Sequence, residues 1–357
     1  MAGGGLKRAR LGEDCMQAAC DGLDCLASTY RLNDGRELPR LGFGVYRVPK
    51  GERCYRAVSA ALAEGYRLVD TAKLYGNEAD VGRAVRESGL PRESVFVTTK
   101  VQDSDHGFQQ ALAAGRRSVE RIGLGYVDLL LIHSPGRKRG RIVETYDALL
   151  ALQRQGLVRS VGVSNFGVAH LEALAEAGRP PPAANQIEMH PLACAEPARQ
   201  AVLRYCAEKG ILITAYGSVF SGQKDKLRLE PLALAARAHR KTPAQVLLRW
   251  ALEKGFQVIP KSVHPERIRE NAAVFDFKLS EGEVAMLDGM KGDLDEYWNP
   301  LGWPVDLGDV SEKPQDRCSA AEASSVSTAS SSSSSGSESG RSGTSASSTS
   351  SCDSDGK

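Results

Sequence analysis

Eight short β-like runs, spaced by helical stretches, constrain the fold of this chain more than any other feature. They occupy residues 42–46, 68–72, 95–101, 127–133, 159–164, 184–189, 211–216 and 257–261. Between them, residues 54–64, 108–122, 143–155, 197–209 and 244–253 carry apolar side chains at helical spacing. Several of these stretches stop at a glycine, as at Gly65, Gly156, Gly210 and Gly255, where the left-handed backbone that ends a helix costs least. Strands that alternate with helices pair in parallel. Eight such units over about 250 residues suit a closed (β/α)8 barrel better than an open sheet. A doubly wound dinucleotide-binding sheet is the competing arrangement, but no GxGxxG follows the first strand. The expected fold class is α/β, a TIM barrel.

Ahead of the barrel, Tyr30-Arg31-Leu32 and Arg36-Glu37-Leu38 flank Asn33-Asp34-Gly35. Asp-Gly tolerates the positive φ of a tight turn, so this segment is predicted to be a β-hairpin. Residues 319–357 are dominated by serine, glycine and threonine, and too little apolar surface is present there to offset chain entropy. The expected organisation is a flexible N-terminal extension over 1–29, the barrel over 30–310, and a disordered Ser-rich tail over 311–357.

Charge and composition then exclude several functions. Forty-six basic and 44 acidic residues give a formal net charge of +2, without the concentrated excess of Lys and Arg that nucleic acid requires. Glu13, Asp14, Asp21 and Asp24 interrupt any signal-like apolar core, and no long apolar run suggests a membrane span. The eight cysteines include no CxxC pair, so no metal site is expected. The reading is a cytoplasmic monomer whose partner is a small molecule.

The ends of successive strand-like runs carry chemistry. Asp70 lies near the end of the second, with Tyr75 just past it, Lys100 near the end of the third and His133 at the end of the fourth. In a parallel barrel these ends converge on one face. Singly, each residue has a structural explanation: a helix cap, packing, a surface charge. Together they form an acid, a phenol, an ammonium and an imidazole able to move a proton at a carbonyl. A free phenol has a pKa of about 10, and the expectation is that Lys100, held by Asp70, lowers that of Tyr75. His133 is placed to hydrogen-bond a carbonyl oxygen. After the eighth run, Lys261, Ser262 and Arg267 lie at the start of a helix, the kind of place where phosphate binds.

On these residues the chain resembles the aldo-keto reductases, over about residues 32–303. The matching motifs are Gly42-Phe43-Gly44, Asp70-Thr71-Ala72, Tyr75-Gly76-Asn77-Glu78, Leu131-Ile132-His133, Gly162-Val163-Ser164-Asn165-Phe166, Asn185-Gln186-Ile187-Glu188 and Ile259-Pro260-Lys261-Ser262. The resemblance implies NADPH-dependent reduction of aldehydes or ketones, with Asp70, Tyr75, Lys100 and His133 as a catalytic tetrad and Tyr75 as general acid. It further implies that Ser164, Asn165 and Gln186 hold the nicotinamide carboxamide and that Tyr216 stacks on the ring. Lys261, Ser262 and Arg267 would hold the adenosine 2′-phosphate, with Glu270 and Asn271 near the adenine. Tyr46, His133 and Trp298 are the expected substrate contacts.

The chain departs from the resemblance at the pocket wall, where Tyr46, Gln102 and Ser134 stand in place of tryptophans common in the family. A wider, more polar pocket is expected. The resemblance links reduction of steroid double bonds to a glutamate at the place of His133, so histidine favours carbonyl reduction. The alternative function is an NADPH-binding regulatory or scaffold protein with little turnover, since fold alone does not settle activity.

Overall fold

The computed structural model describes residues 25–136, 138–291, 300–303 and 305. Most of the expected N-terminal extension, the whole expected tail and Trp298 lie outside the described residues. The hairpin pairs β1 (Thr29–Arg31) with β2 (Glu37–Pro39), Tyr30 opposite Leu38. Its turn passes through Gly35 at φ 85°, a left-handed value that a side chain would resist.

Eight parallel strands follow in sequence order: β3 (Phe43–Gly44), β4 (Leu68–Asp70), β5 (Phe96–Val101), β6 (Val127–Ile132), β7 (Val158–Ser164), β8 (Ala184–Glu188), β9 (Leu212–Tyr216) and β10 (Gln257–Val258). The sheet closes on itself. Leu41 bridges Val258 in parallel, the Gly42 N–H donates to the Val258 carbonyl at 2.8 Å, and the Gly44 N–H donates to the Pro260 carbonyl at 3.0 Å. All eight expected runs are strands of this barrel. The last is shorter than its sequence pattern, because Pro260 has no N–H to extend the ladder.

Helices wrap the outside: α1 (Glu52–Ala63), α2 (Glu78–Glu87), α3 (Phe108–Ile122), α4 (Arg139–Arg154), α5 (Val168–Glu176), α6 (Pro191–Cys194), α7 (Pro197–Lys209), α8 (Glu230–His239), α9 (Pro243–Glu253), α10 (Pro265–Ala272) and α11 (Glu281–Asp288). The third and seventh match their expected bounds. The fourth begins four residues earlier than residue 143, where the pattern starts.

Strand periodicity decides which side chains enter the barrel. Leu68, Phe96, Leu129 and Leu131 pack in the interior with Leu32 and Leu38 of the hairpin, while Val69, Val97, Val101, Leu130 and Ile132 pack outward among the helices. The hairpin therefore plugs the N-terminal mouth. By the same alternation Asp70 shares the inner face with Leu68, and Lys100 shares it with Phe96. Their position at strand C-termini leaves them at the open end. No helix among the described residues is long and apolar enough to cross a membrane.

Candidate active site

The buried ion pair at the open end is the centre of the site. Lys100 is fully buried and Asp70 is 3% exposed, and the Lys100 ammonium donates to Asp70 Oδ1 at 2.6 Å and to the Thr71 carbonyl at 2.9 Å. Its third contact, at 3.4 Å, is the Tyr75 hydroxyl. Tyr75 sits in a 3-10 turn, Lys73–Tyr75, that leaves β4 and ends at Gly76 with φ 69°. The other oxygen of Asp70 accepts from Gln186 Nε2 at 2.8 Å. A buried carboxylate that has lost water needs such partners on both oxygens. His133 lies beside the phenol, with ring centroids 5.7 Å apart and planes inclined at 76°. Its N–H donates to the Val101 carbonyl at 2.9 Å, which ties the residue after β6 to β5.

The electrostatics correct one expectation. Burial pushes the Tyr75 phenol well above its ordinary range, with the Asp70 carboxylate adding to the effect, rather than Lys100 pulling it down. The physical reason is that a buried phenol loses the hydration its anion would need, and the nearby Asp70 carboxylate opposes a second negative charge. Burial likewise lowers the Lys100 ammonium, against the opposing pull of Asp70. The His133 imidazole is pushed down to about 3, first by burial and then by Lys100. At neutral pH the site holds a protonated phenol and a neutral imidazole.

A second group forms at the ends of β7, β8 and β9. Ser164, Asn165 and Gln186 are buried, and one network joins them. Ser164 Oγ donates to the Gln186 carbonyl at 2.7 Å, Asn165 Nδ2 donates to the His133 carbonyl at 3.0 Å, and the Tyr216 hydroxyl donates to Asn165 Oδ1 at 2.8 Å. Asn165 takes φ 62°, a left-handed backbone that asparagine tolerates better than most residues. Through Gln186 this group is continuous with Asp70.

The third group stands apart, at the β10–α10 junction. Lys261 and Arg267 are exposed, while Ser262 and Asn271 are buried. Ser262 Oγ accepts from the His264 N–H at 3.1 Å, and Glu270 accepts from the Thr242 hydroxyl at 2.6 Å. The Lys261 ammonium is lowered, first by partial burial and then by Arg53 and Arg47. Cations gathered this way suit an anion.

These features match a known family. The Aldo/keto reductase family profile matches residues 40–291. The chain belongs to that family. It is 46% identical over 260 residues to an aldo-keto reductase of Mycobacterium sp. (strain MCS), covering 72% of this chain and 89% of that protein. It is 41% identical over 268 residues to the glyoxal reductase of Bacillus subtilis, covering 75% and 94%. Among solved structures, an aldo-keto reductase of Bombyx mori in complex with NADP superposes with a TM-score of 0.67 at 33% identity, covering 74% and 93%.

In this aldo/keto reductase the residues expected at the pocket wall, Tyr46, Gln102 and Ser134, lie just past the ends of β3, β5 and β6. Tyr46 is 44% exposed and packs its ring 5.0 Å from that of Tyr75. Gln102 Nε2 donates to Ser104 Oγ at 2.5 Å, and Ser134 Oγ donates to Asp103. A polar wall thus links the β5–α3 and β6–α4 loops. Three supports were missed in the sequence reading. Thr71 contributes its carbonyl rather than its hydroxyl. Asn77 ties the β3–α1 loop in place by donating to the Val45 and Val48 carbonyls at 3.1 and 3.2 Å. Glu78, 2% exposed, accepts from Thr99 Oγ1 at 2.6 Å and from Arg121 Nε at 2.8 Å. All three lie within the Asp70–Glu78 motif, so their position was visible although their partners were not.

Proposed function

We propose that this aldo/keto reductase uses NADPH to reduce small aldehydes and ketones to alcohols, with Tyr75 as the general acid. The observation that carries the reading is the continuous chain Gln186–Asp70–Lys100–Tyr75 with a neutral imidazole against the phenol. His133, pushed down to about 3, holds no proton to give at neutral pH. That leaves the phenol as the donor, and burial keeps it protonated.

NADPH, when bound, supplies the hydride to the carbonyl carbon. Tyr75 gives its proton to the carbonyl oxygen, and His133 orients that oxygen by a hydrogen bond. The phenolate left behind lies 3.4 Å from the Lys100 ammonium, which Asp70 and the Thr71 carbonyl hold in position. Pre-positioned charge of this kind stabilises the product of proton transfer without reorganisation. The donor set fits the dinucleotide at both ends. Ser164, Asn165 and Gln186 present amide and hydroxyl groups for a carboxamide, and Tyr216 offers the ring to stack. Lys261, Ser262 and Arg267 are assigned to the 2′-phosphate, and Glu270 and Asn271 to the adenine. The NADP bound by the Bombyx mori relative supports the choice of cofactor. The polar mouth around Tyr46 and Gln102 supports small, polar carbonyl compounds.

Replacement Tyr75→Phe tests the assignment. The expected result is a fall in kcat for reduction of about 10²–10⁴-fold, with the Kd for NADPH unchanged within about twofold. Equal turnover in the variant would remove Tyr75 from the role.

A further inference from the structure

The carboxylates around the β10–α10 junction face groups other than Lys261, Arg267 and Arg53. Glu52 is taken by Arg56 at 2.8 Å and by Arg83 at 3.4 Å. Glu64 is taken by Arg269 at 2.7 Å, and Glu266 lies 3.6 Å from His264. Glu270 is turned to Thr242. Lys261, Arg267 and Arg53 are exposed, and among the described residues none of them has a carboxylate partner. Gathering like charges without a counter-ion is unfavourable unless an anion shares the site.

Arg53 was not part of any motif, because it lies on the first turn of α1, far in sequence from Lys261. The closed barrel removes that distance. A cavity of about 420 Å³ is lined by α1, with Arg53, Arg56, Ala57, Ala60 and the paired Glu52, and by Val263, Pro265 and Ile268 of the β10–α10 segment. The loop that presents Lys261 and Ser262 thus shares one wall with Arg53. Partial burial first, and then the nearness of Arg53 and Arg47, hold the Lys261 ammonium below its ordinary range. The acids beside the start of α1 are turned elsewhere: Glu52 pairs with Arg56 and Arg83, and Asp80 accepts from the Gly51 N–H at 2.7 Å.

We propose that Arg53 is a specificity-determining residue for the 2′-phosphorylated dinucleotide, its guanidinium completing with Lys261 and Arg267 the cationic wall around the adenosine 2′-phosphate. The inference rests on the NADPH reading above and adds a residue from the opposite side of the barrel seam. Arg56 is its internal control, since it lines the same cavity but is paired with Glu52.

Equilibrium titration of the whole chain distinguishes the outcomes, using the change in protein fluorescence on binding NADPH, NADH, 2′,5′-ADP and 5′-AMP. Arg53→Ala is expected to raise the Kd for NADPH and 2′,5′-ADP by about tenfold, the size of one charge-assisted contact at a partly exposed site. The Kd for NADH and 5′-AMP should stay within about twofold, Arg53→Lys should recover part of the loss, and Arg56→Ala should leave all four unchanged. Equal weakening of phosphorylated and unphosphorylated ligands, or no weakening of either, overturns the role of Arg53 alone. A wild-type chain that binds no NADPH overturns the cofactor assignment itself.

Discussion

At the scale of single residues, the site separates two groups that both look able to donate a proton. His133 and Tyr75 face one another, but burial acts on them in opposite senses relative to the proton. It strips the imidazole, pushed down to about 3, and keeps the phenol protonated. Neither group titrates in the physiological range, so kcat/KM for reduction is expected to be flat from about pH 6 to about pH 9. The reverse reaction, alcohol oxidation, needs the phenolate and should rise steadily with pH over the same interval. A pH–rate profile in both directions checks this. A limb near the ordinary imidazole value in the reductive direction would mean that His133 changes charge in the working enzyme. The identities of these residues were legible in sequence, because each lies at the end of a strand-like run. Their electrostatics were not. A spacing of 30 residues between Asp70 and Lys100 does not disclose that burial outweighs the ammonium at the phenol.

At the scale of elements, the strands were more legible than the contacts that fix them. Alternation of inward and outward side chains follows from a period of two, so Lys100 could be assigned to the same face as Phe96 from sequence alone. Helix packing is different, since it depends on which small residue meets which backbone. Gly82 in α2 is such a point, because a β-carbon there would lie 1.7 Å from the Ile122 carbonyl oxygen at the end of α3. Arg86, one turn on, donates to that same carbonyl at 2.8 Å, satisfying a group that the helix end leaves free. Gly82→Ala must therefore push α2 outward or break this cap. A loss of stability of about 2–3 kcal/mol is expected from overpacking against backbone, read as a lower urea midpoint. Because α2 begins at Glu78, which orders Thr99 beside Lys100, kcat should fall as well. An unchanged midpoint would mean that the two helices stand farther apart than this.

At the scale of the whole molecule, the proposed function depends on closing the barrel, because closure sets the β10–α10 loop, proposed to hold the 2′-phosphate, against the strand beside Asp70. Gly44 stands at that seam. On one side it is in register with Asp70; on the other its N–H donates to the Pro260 carbonyl at 3.0 Å, directly before Lys261 and Ser262. A β-carbon at residue 44 would lie 2.7 Å from the Ile259 carbonyl oxygen, which is backbone and cannot rotate away. Gly44→Val is therefore expected to spread the seam, lowering Tm by about 5 °C or more for a domain of this size. Displacing β10 carries Lys261 and Ser262 away from the site, so the Kd for NADPH should rise by about tenfold. The pairing of the two effects is what distinguishes this variant: Arg53→Ala changes affinity without changing Tm, whereas a seam mutation has to change both. A Gly44→Val protein that melted normally yet bound NADPH poorly would place the residue in direct contact with the dinucleotide, and would separate barrel closure from cofactor binding.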